Sequence, residues 1–201
     1  MFTGIVEAVG IIESIRESGG NRTFIVSSAI SDELHADQSL AHNGVCLTVE
    51  ESGKNGRHRV TAISETLSKT MLGSALPGQR LNLERSLRAD ARIDGHFVQG
   101  HVDACGIVER IVLLEGSREI QIQVPGEFET LIVAQGSICV NGISLTVARI
   151  DEYNHIFTVC IIPYTMEVTN LADLREKDRV NLEFDILGKY IQKLAGHVRQ
   201  G

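Results

Sequence analysis

Short runs in which apolar and polar residues alternate fill most of this 201-residue chain, and β-branched side chains dominate them. Residues 4–15, 23–26, 45–50, 59–63 and 80–83 are such runs, bounded by Gly, Asn, Asp or Ser, and counterparts follow in the second half. Period-two patterning between turn formers predicts strands, not alternating strand–helix units. Two small β-barrels or sandwiches are the expected form, and a barrel is the more attractive because each half has too few strands to tolerate open edges. Ser64-Glu65-Thr66-Leu67-Ser68 and Pro163-Tyr164-Thr165-Met166-Glu167 follow strands at equivalent places and predict short helices, with residues 31–36 and 126–133 as a further helical pair. In the tail, Ile186, Leu187, Tyr190, Ile191 and Leu194 fall on one helical stripe. A helix that short is marginal alone, so it is expected to dock, on another copy or on its own chain.

The pattern is written twice. Gly4-Ile5-Val6-Glu7-Ala8-Val9-Gly10-Ile11 returns as Gly100-His101-Val102-Asp103-Ala104-Cys105-Gly106-Ile107, an offset of 96 residues. His42-Asn43-Gly44-Val45-Cys46-Leu47-Thr48-Val49 returns as Val140-Asn141-Gly142-Ile143-Ser144-Leu145-Thr146-Val147, and Arg80-Leu81-Asn82-Leu83-Glu84 as Arg179-Val180-Asn181-Leu182-Glu183. The offsets there are 98 and 99, so order is kept and only small loop insertions separate the copies. This period is too long for a solenoid. The expectation is two homologous domains, 1–95 and 96–187, and a tail helix, 188–201. Functional asymmetry should sit where the copies differ, above all at Cys46 against Ser144.

Charge and cysteines narrow the function. A formal net charge of −7 without a basic stripe argues against nucleic acid. Cys46, Cys105, Cys139 and Cys160 form no CxxC and match no zinc module. Burial as small apolar residues is expected of the last three. Met1-Phe2-Thr3-Gly4 shows no basic region ahead of an apolar core, and no run approaches membrane length. A cytoplasmic protein that binds neither membrane nor nucleic acid is the expectation.

Asn43-Gly44 permits a tight turn, after which Cys46 and Thr48 share a strand face. That face either lines a pocket or is a barrel-core cysteine beside a satisfied threonine. Ser144 and Thr146 repeat the arrangement as pocket hydroxyls or as mutually satisfied core groups. Ser144 has no G-x-S-x-G elbow. His96 and His101 bracket the junction of the copies, where one histidine can enter a site while the other supports the bend; a metal would need a third ligand. Glu84, Glu183 and Asp185 read first as structural polarity at strand ends.

Together these segments resemble riboflavin synthase, the duplicated lumazine-dismutating family, across essentially the whole chain. The resemblance implies an all-β fold of tandem six-stranded Greek-key β-barrels with short helices and a C-terminal helix that supports a homotrimer. It implies that two molecules of 6,7-dimethyl-8-ribityllumazine meet where the N-terminal barrel of one subunit faces the C-terminal barrel of another. One gives a four-carbon unit to the other, yielding riboflavin and 5-amino-6-(D-ribitylamino)uracil without metal or redox cofactor. Association with lumazine synthase is left open.

By the same resemblance Ser144 and His101 belong to proton transfer, and Cys46 positions or activates the partner lumazine. Substrate contacts fall on Phe2, Gly4, Ile5, Val6, Ser39, Cys46, Leu47, Thr48, Ala62, Ser64 and Thr66, then on Gly100, His101, Val102, Gln135, Ser144, Leu145, Thr146, Ile162 and Pro163. Three positions depart from the family pattern: Asn141 stands where Asp is familiar, Gln135 where Lys is, and Tyr164 where Glu is. The rival reading is a lumazine protein, which binds without turnover. A flavin reductase is weaker, since no G-x-G-x-x-G segment accompanies the barrels.

Overall fold

The computed structural model describes residues 1–53 and 55–198, with side chains described through 195 apart from Lys54. In the first half, β1 (Ala8–Ser18), β2 (Asn21–Ser27), β3 (Ser39–His42), β4 (Val45–Ser52), β5 (Arg57–Ala62) and β6 (Arg80–Arg85) close in the order β1-β2-β5-β4-β3-β6. In the second, β7 (Ala104–Leu114), β8 (Ser117–Gln123), β9 (Ser137–Val140), β10 (Ile143–Asp151), β11 (Ile156–Ile161) and β12 (Arg179–Phe184) close in the same cyclic order. Both are antiparallel barrels, so neither keeps an open edge. Register shifts at Ile12/Ser14 and Val49/Glu51 recur at Val108/Arg110 and Val147/Arg149, bulges that coil the long strands enough to close.

Alternation sends one face of each strand inward. Ile12, Phe24, Val26, Leu40, Leu47, Val49, Val60 and Leu83 fill barrel one, and Val108, Ile120, Ile122, Val147, Phe157, Val159 and Leu182 fill barrel two. The expected helices appear as α1 (Ser64–Lys69), α2 (Pro163–Val168) and α3 (Ile186–Val198). Three differences have local causes. Residues 4–7 lie outside β1 because they cross toward the other barrel. Residues 31–36 and 126–133 contain only 3-10 turns, Ser31–Glu33 and Gly126–Leu131. β3 and β9 are four residues each, too short for periodicity to reveal. Residues 199–201 of the expected tail lie outside the described residues. Lys189 of α3 bonds Asp103 at 2.6 Å and Gln192 donates to Thr130, while Leu187, Tyr190, Ile191 and Leu194 are exposed.

The barrels meet back to back through their Asn-Gly turns. Asn43 and Gly44 (φ 48 and 78), like Asn141 and Gly142 (φ 47 and 80), are left-handed, as a two-residue hairpin turn requires. Asn43 Oδ1 accepts from the Asn82 N–H at 2.7 Å and Asn141 Oδ1 from the Asn181 N–H at 2.8 Å. Asn82 and Asn181 then reach across the boundary to the Asn141 and Asn43 carbonyls at 2.9 and 2.8 Å. Asn43, Asn82 and Asn181 each accept and donate through the side chain, which an amide can do, while Asn141 accepts. Asn141, a departure from the family pattern, therefore shapes the inter-barrel turn.

The turns touch so closely that a Cβ on Gly44 would lie 2.8 Å from the Gly142 backbone nitrogen. Gly44→Ala should cost about 2–4 kcal/mol, combining left-handed strain with overpacking. Gly78→Ala is the control, since Gly78 has φ +88 but open space around it. Equal shifts of the two denaturant midpoints would refute tight turn packing.

Barrel one carries a polar chain in its core. His42 Nδ1 lies 3.2 Å from the Leu40 carbonyl, His42 Nε2 lies 2.9 Å from His58 Nε2, and His58 Nδ1 lies 2.8 Å from Ser31 Oγ. The Leu40 carbonyl can only accept, so in the neutral pair the protons point one way: His42 Nδ1–H to Leu40, His58 Nε2–H to His42, Ser31 hydroxyl to His58. Ser28, 2.8 Å from Ser31 Oγ, donates last. At the repeat-equivalent positions barrel two has Val140 and Phe157.

Candidate functional site

Immediately after each Asn-Gly turn the chain enters β4 or β10. Val45, Leu47 and Val49 turn inward, which puts Cys46 and Thr48 on the outer face of barrel one; Ser144 and Thr146 lie on that of barrel two. Neither copy is therefore a core pair. Two segments outside the barrels cover these faces. Phe2 and Val98 bridge them by reciprocal backbone bonds of 2.7 and 3.1 Å, and Phe2 is fully buried against Ala41, Val98 and Cys139. From this bridge residues 3–6 run to barrel two and residues 99–102 to barrel one.

Gly100 packs on Cys46, where a Cβ would lie 2.5 Å from Cys46 Cβ, and its carbonyl accepts from the Cys46 N–H at 2.9 Å. The result is a cleft of about 260 Å³ that brings together Cys46, Thr66, Gly100, His101 and Val102 from the sequence-derived set. Glu65 and Lys69 of α1 add an ion pair at its rim, 2.9 Å apart. Sequence reasoning missed Lys69, although its spacing one helical turn after Glu65 is a readable signal.

On barrel two, Gly4 packs on Ser144 in the same way, its carbonyl accepting from the Ser144 N–H at 2.8 Å. The chemistry differs. The Ser144 hydroxyl lies 2.7 Å from His96 Nδ1, whose backbone N–H bonds the Thr3 carbonyl at 3.1 Å. Partial burial lowers the His96 pKa from its ordinary value, and the nearby Asp185 carboxylate pulls it back up. An imidazole so placed is neutral at pH 7, able to take a proton through the serine, with a carboxylate to stabilise the cation that results. At the repeat positions of His101, Ile63 and Glu65 stand Ile5, Ile162 and Tyr164, all exposed, so this face is more apolar.

Several predicted residues stand apart from the two faces. Ala62 is buried in the core of barrel one with Leu47, and Leu145 packs against the core of barrel two. Ser39 opposes Thr48 across the ladder but lies in another cleft with Glu7, His35 and Arg85. Gln135 is exposed in a left-handed turn (φ 63) whose N–H bonds the Val147 carbonyl. Ser64 and Pro163 open α1 and α2, both exposed. Of the three cysteines expected in the core only Cys139 is buried, Cys105 being half-buried and Cys160 exposed; burial pushes the Cys105 and Cys139 thiols up, and all four cysteines are free. Among the described residues no group of three or more His, Cys, Asp or Glu could hold a metal, and no helix is long and apolar enough to cross a membrane.

Comparison with known proteins bears on what these faces bind. The lumazine binding domain family matches the chain twice, over residues 3–86 and 99–185. A riboflavin synthase of Mycobacterium bovis is 40% identical over 198 residues, covering 96% of this chain and 98% of that one. Those of Actinobacillus pleuropneumoniae and Bacillus subtilis are 38% and 35% identical, each covering 96% of this chain and 89% of the relative. A solved structure of LumP complexed with riboflavin superposes with TM-score 0.84 at 21% identity, over 92% of this chain and 99% of that one, which speaks to the fold.

Proposed function

This chain belongs to the riboflavin synthase family, and from that premise we propose how its two unlike faces share the dismutation of 6,7-dimethyl-8-ribityllumazine. Two lumazines yield one riboflavin and one 5-amino-6-(D-ribitylamino)uracil. Carbon balance requires that both six-position and seven-position ring carbons of one molecule, with their methyl groups, pass to the other. The observation that carries the division of labour is the hydrogen-bonded Ser144–His96 pair on one face against Cys46 and His101 on the other.

The electron-poor lumazine ring makes its C7 methyl protons acidic and its C7 carbon electrophilic. A lumazine held on the Ser144 face, against the exposed apolar groups Ile5, Ile162 and Tyr164, presents that methyl to the Ser144–His96 pair. His96 takes the proton through the serine, and the carbanion is delocalised into the ring. A second lumazine in the Cys46 cleft offers the electrophilic ring, with the thiol against it and His101 beside it. Bringing two rings into register supplies up to about 7–11 kcal/mol of the barrier reduction in favourable systems. His96 replaces His101 as Ser144's partner in this reading, because His96 is the histidine at hydrogen-bond distance.

The two faces of one chain are half-sites. In our reading they combine between subunits of a homotrimer, with barrel one of one copy meeting barrel two of the next. The exposed stripe of Leu187, Tyr190, Ile191 and Leu194 on α3 supports such an assembly, since an isolated subunit leaves it in water. A cytoplasmic location and an encounter with lumazine synthase complete the proposal.

The test is anaerobic incubation of metal-free protein with 6,7-dimethyl-8-ribityllumazine. One riboflavin and one pyrimidine product per two lumazines consumed is the expected result. Tight binding without turnover would assign the chain to the non-catalytic lumazine binders instead.

A further inference from the structure

Each repeat carries Asn-Leu-Glu one residue before the end of its last barrel strand, and both glutamates are buried. Glu84 accepts from the Thr3 N–H at 2.6 Å, the Thr3 hydroxyl at 3.0 Å and the Gly4 N–H at 3.0 Å. Glu183 accepts from the N–H groups of Gln99, Gly100 and His101 at 2.6, 2.9 and 2.9 Å. Six donors converge on two carboxylates, and neither carboxylate has a basic side chain at salt-bridge distance among the described residues. Only a carboxylate answers such a set, because a glutamine would turn its own NH₂ against at least one of the donors.

The other side of the same peptides faces the opposite barrel. The Gly4 carbonyl takes the Ser144 N–H of barrel two, and the Gly100 carbonyl takes the Cys46 N–H of barrel one. Val6 packs against the core of barrel two and Val102 against that of barrel one. Each segment is thus held by a carboxylate of one barrel while it forms the wall of the half-site on the other. We propose that Glu84 and Glu183 are positioning residues acting across the barrel boundary, Glu84 shaping the Ser144 half-site and Glu183 the Cys46 half-site. Their importance to catalysis rests on the lumazine reading above; the clamp itself is legible without ligand.

A glutamate that only satisfied buried amides would act on its own surroundings or on the whole fold. A clamp acts selectively on the other barrel. In the full-length protein, Glu183→Gln should speed hydrogen exchange of the Cys46 amide by about 10–100-fold, the loss expected when bonds to a charged acceptor are broken. The Ser144 amide should keep its wild-type rate. Glu84→Gln should do the reverse. If a glutamine variant does not fold, Glu183→Asp and Glu84→Asp keep the charge but shorten the arm, and the same two amides are read. Equal acceleration of both amides, or acceleration in the carboxylate's own barrel, overturns the proposal. Riboflavin titration of the wild-type protein separates the two readings: a crossed exchange pattern in the variants of a protein whose wild type binds no riboflavin upholds the clamp and removes the lumazine assignment.

Discussion

His96→Gln lowers kcat for riboflavin formation by about 10²–10⁴-fold, the range typical of losing a positioned acid–base group, with KM little changed. Glutamine can still bond the Ser144 hydroxyl, so geometry survives while the proton acceptor is lost. Ser144→Ala should fall in the same range, and the double variant should be no slower than the worse single one, because the two groups act as a unit. The pH profile supplies a second readout. Partial burial lowers the His96 pKa below its ordinary 6.5, so the acid limb of kcat should lie below that pH in the wild type and vanish in His96→Gln. A folded His96→Gln enzyme with wild-type kcat would remove this histidine from the mechanism.

Acid should unfold the protein through the core of barrel one. Burial, with the neighbouring His58 charge, lowers the His42 pKa to about 3, while the Leu40 carbonyl opposes the shift; burial lowers His58 to about 4. Both lie below the ordinary 6.5, so the unfolded chain binds protons that the native pair refuses. Stability is therefore full above about pH 6.5 and falls as the pH drops from there toward 4, levelling near 3. At about 1.4 kcal/mol per pKa unit the pair together can remove several kcal/mol, a large share of ordinary domain stability. His42→Val with His58→Phe, the residues of barrel two, should flatten the dependence. Denaturant midpoints between pH 7 and 4 read it directly, and a wild-type curve no steeper than that of the double variant would disprove the account.

The histidine pair shows where repeat comparison succeeds and where it stops. Aligning the copies sets His42 against Val140 and His58 against Phe157, so the asymmetry was visible. That the two rings touch was not, since sixteen residues separate them and only the β3–β4–β5 ladder brings them together. Cys46 and Ser144 were legible as the informative difference because they follow a turn signal at the same repeat position. Whether they faced core or solvent was undecided, as alternation alone does not say which face is inward. The hydrophobic neighbours Val45, Leu47 and Val49 settle it by filling the barrel.

Hydrophobic period, Asn-Gly turns and duplication were enough to determine two equivalent β-domains, the short helices and the apolar stripe of the tail, while barrel closure was implied only by the family resemblance. These are local properties: a strand's alternation or a left-handed turn is specified by adjacent residues. The site is not local. His96 meets Ser144 across 48 residues, Glu84 holds Thr3 across 81, and Gly100 closes on Cys46 across 54. Such partners are chosen by barrel closure and by the exchange of residues 2–6 and 99–102 between barrels. Only the packed chain decides that exchange, because buried carboxylates and the backbone N–H groups they accept find one another only once both barrels are in place.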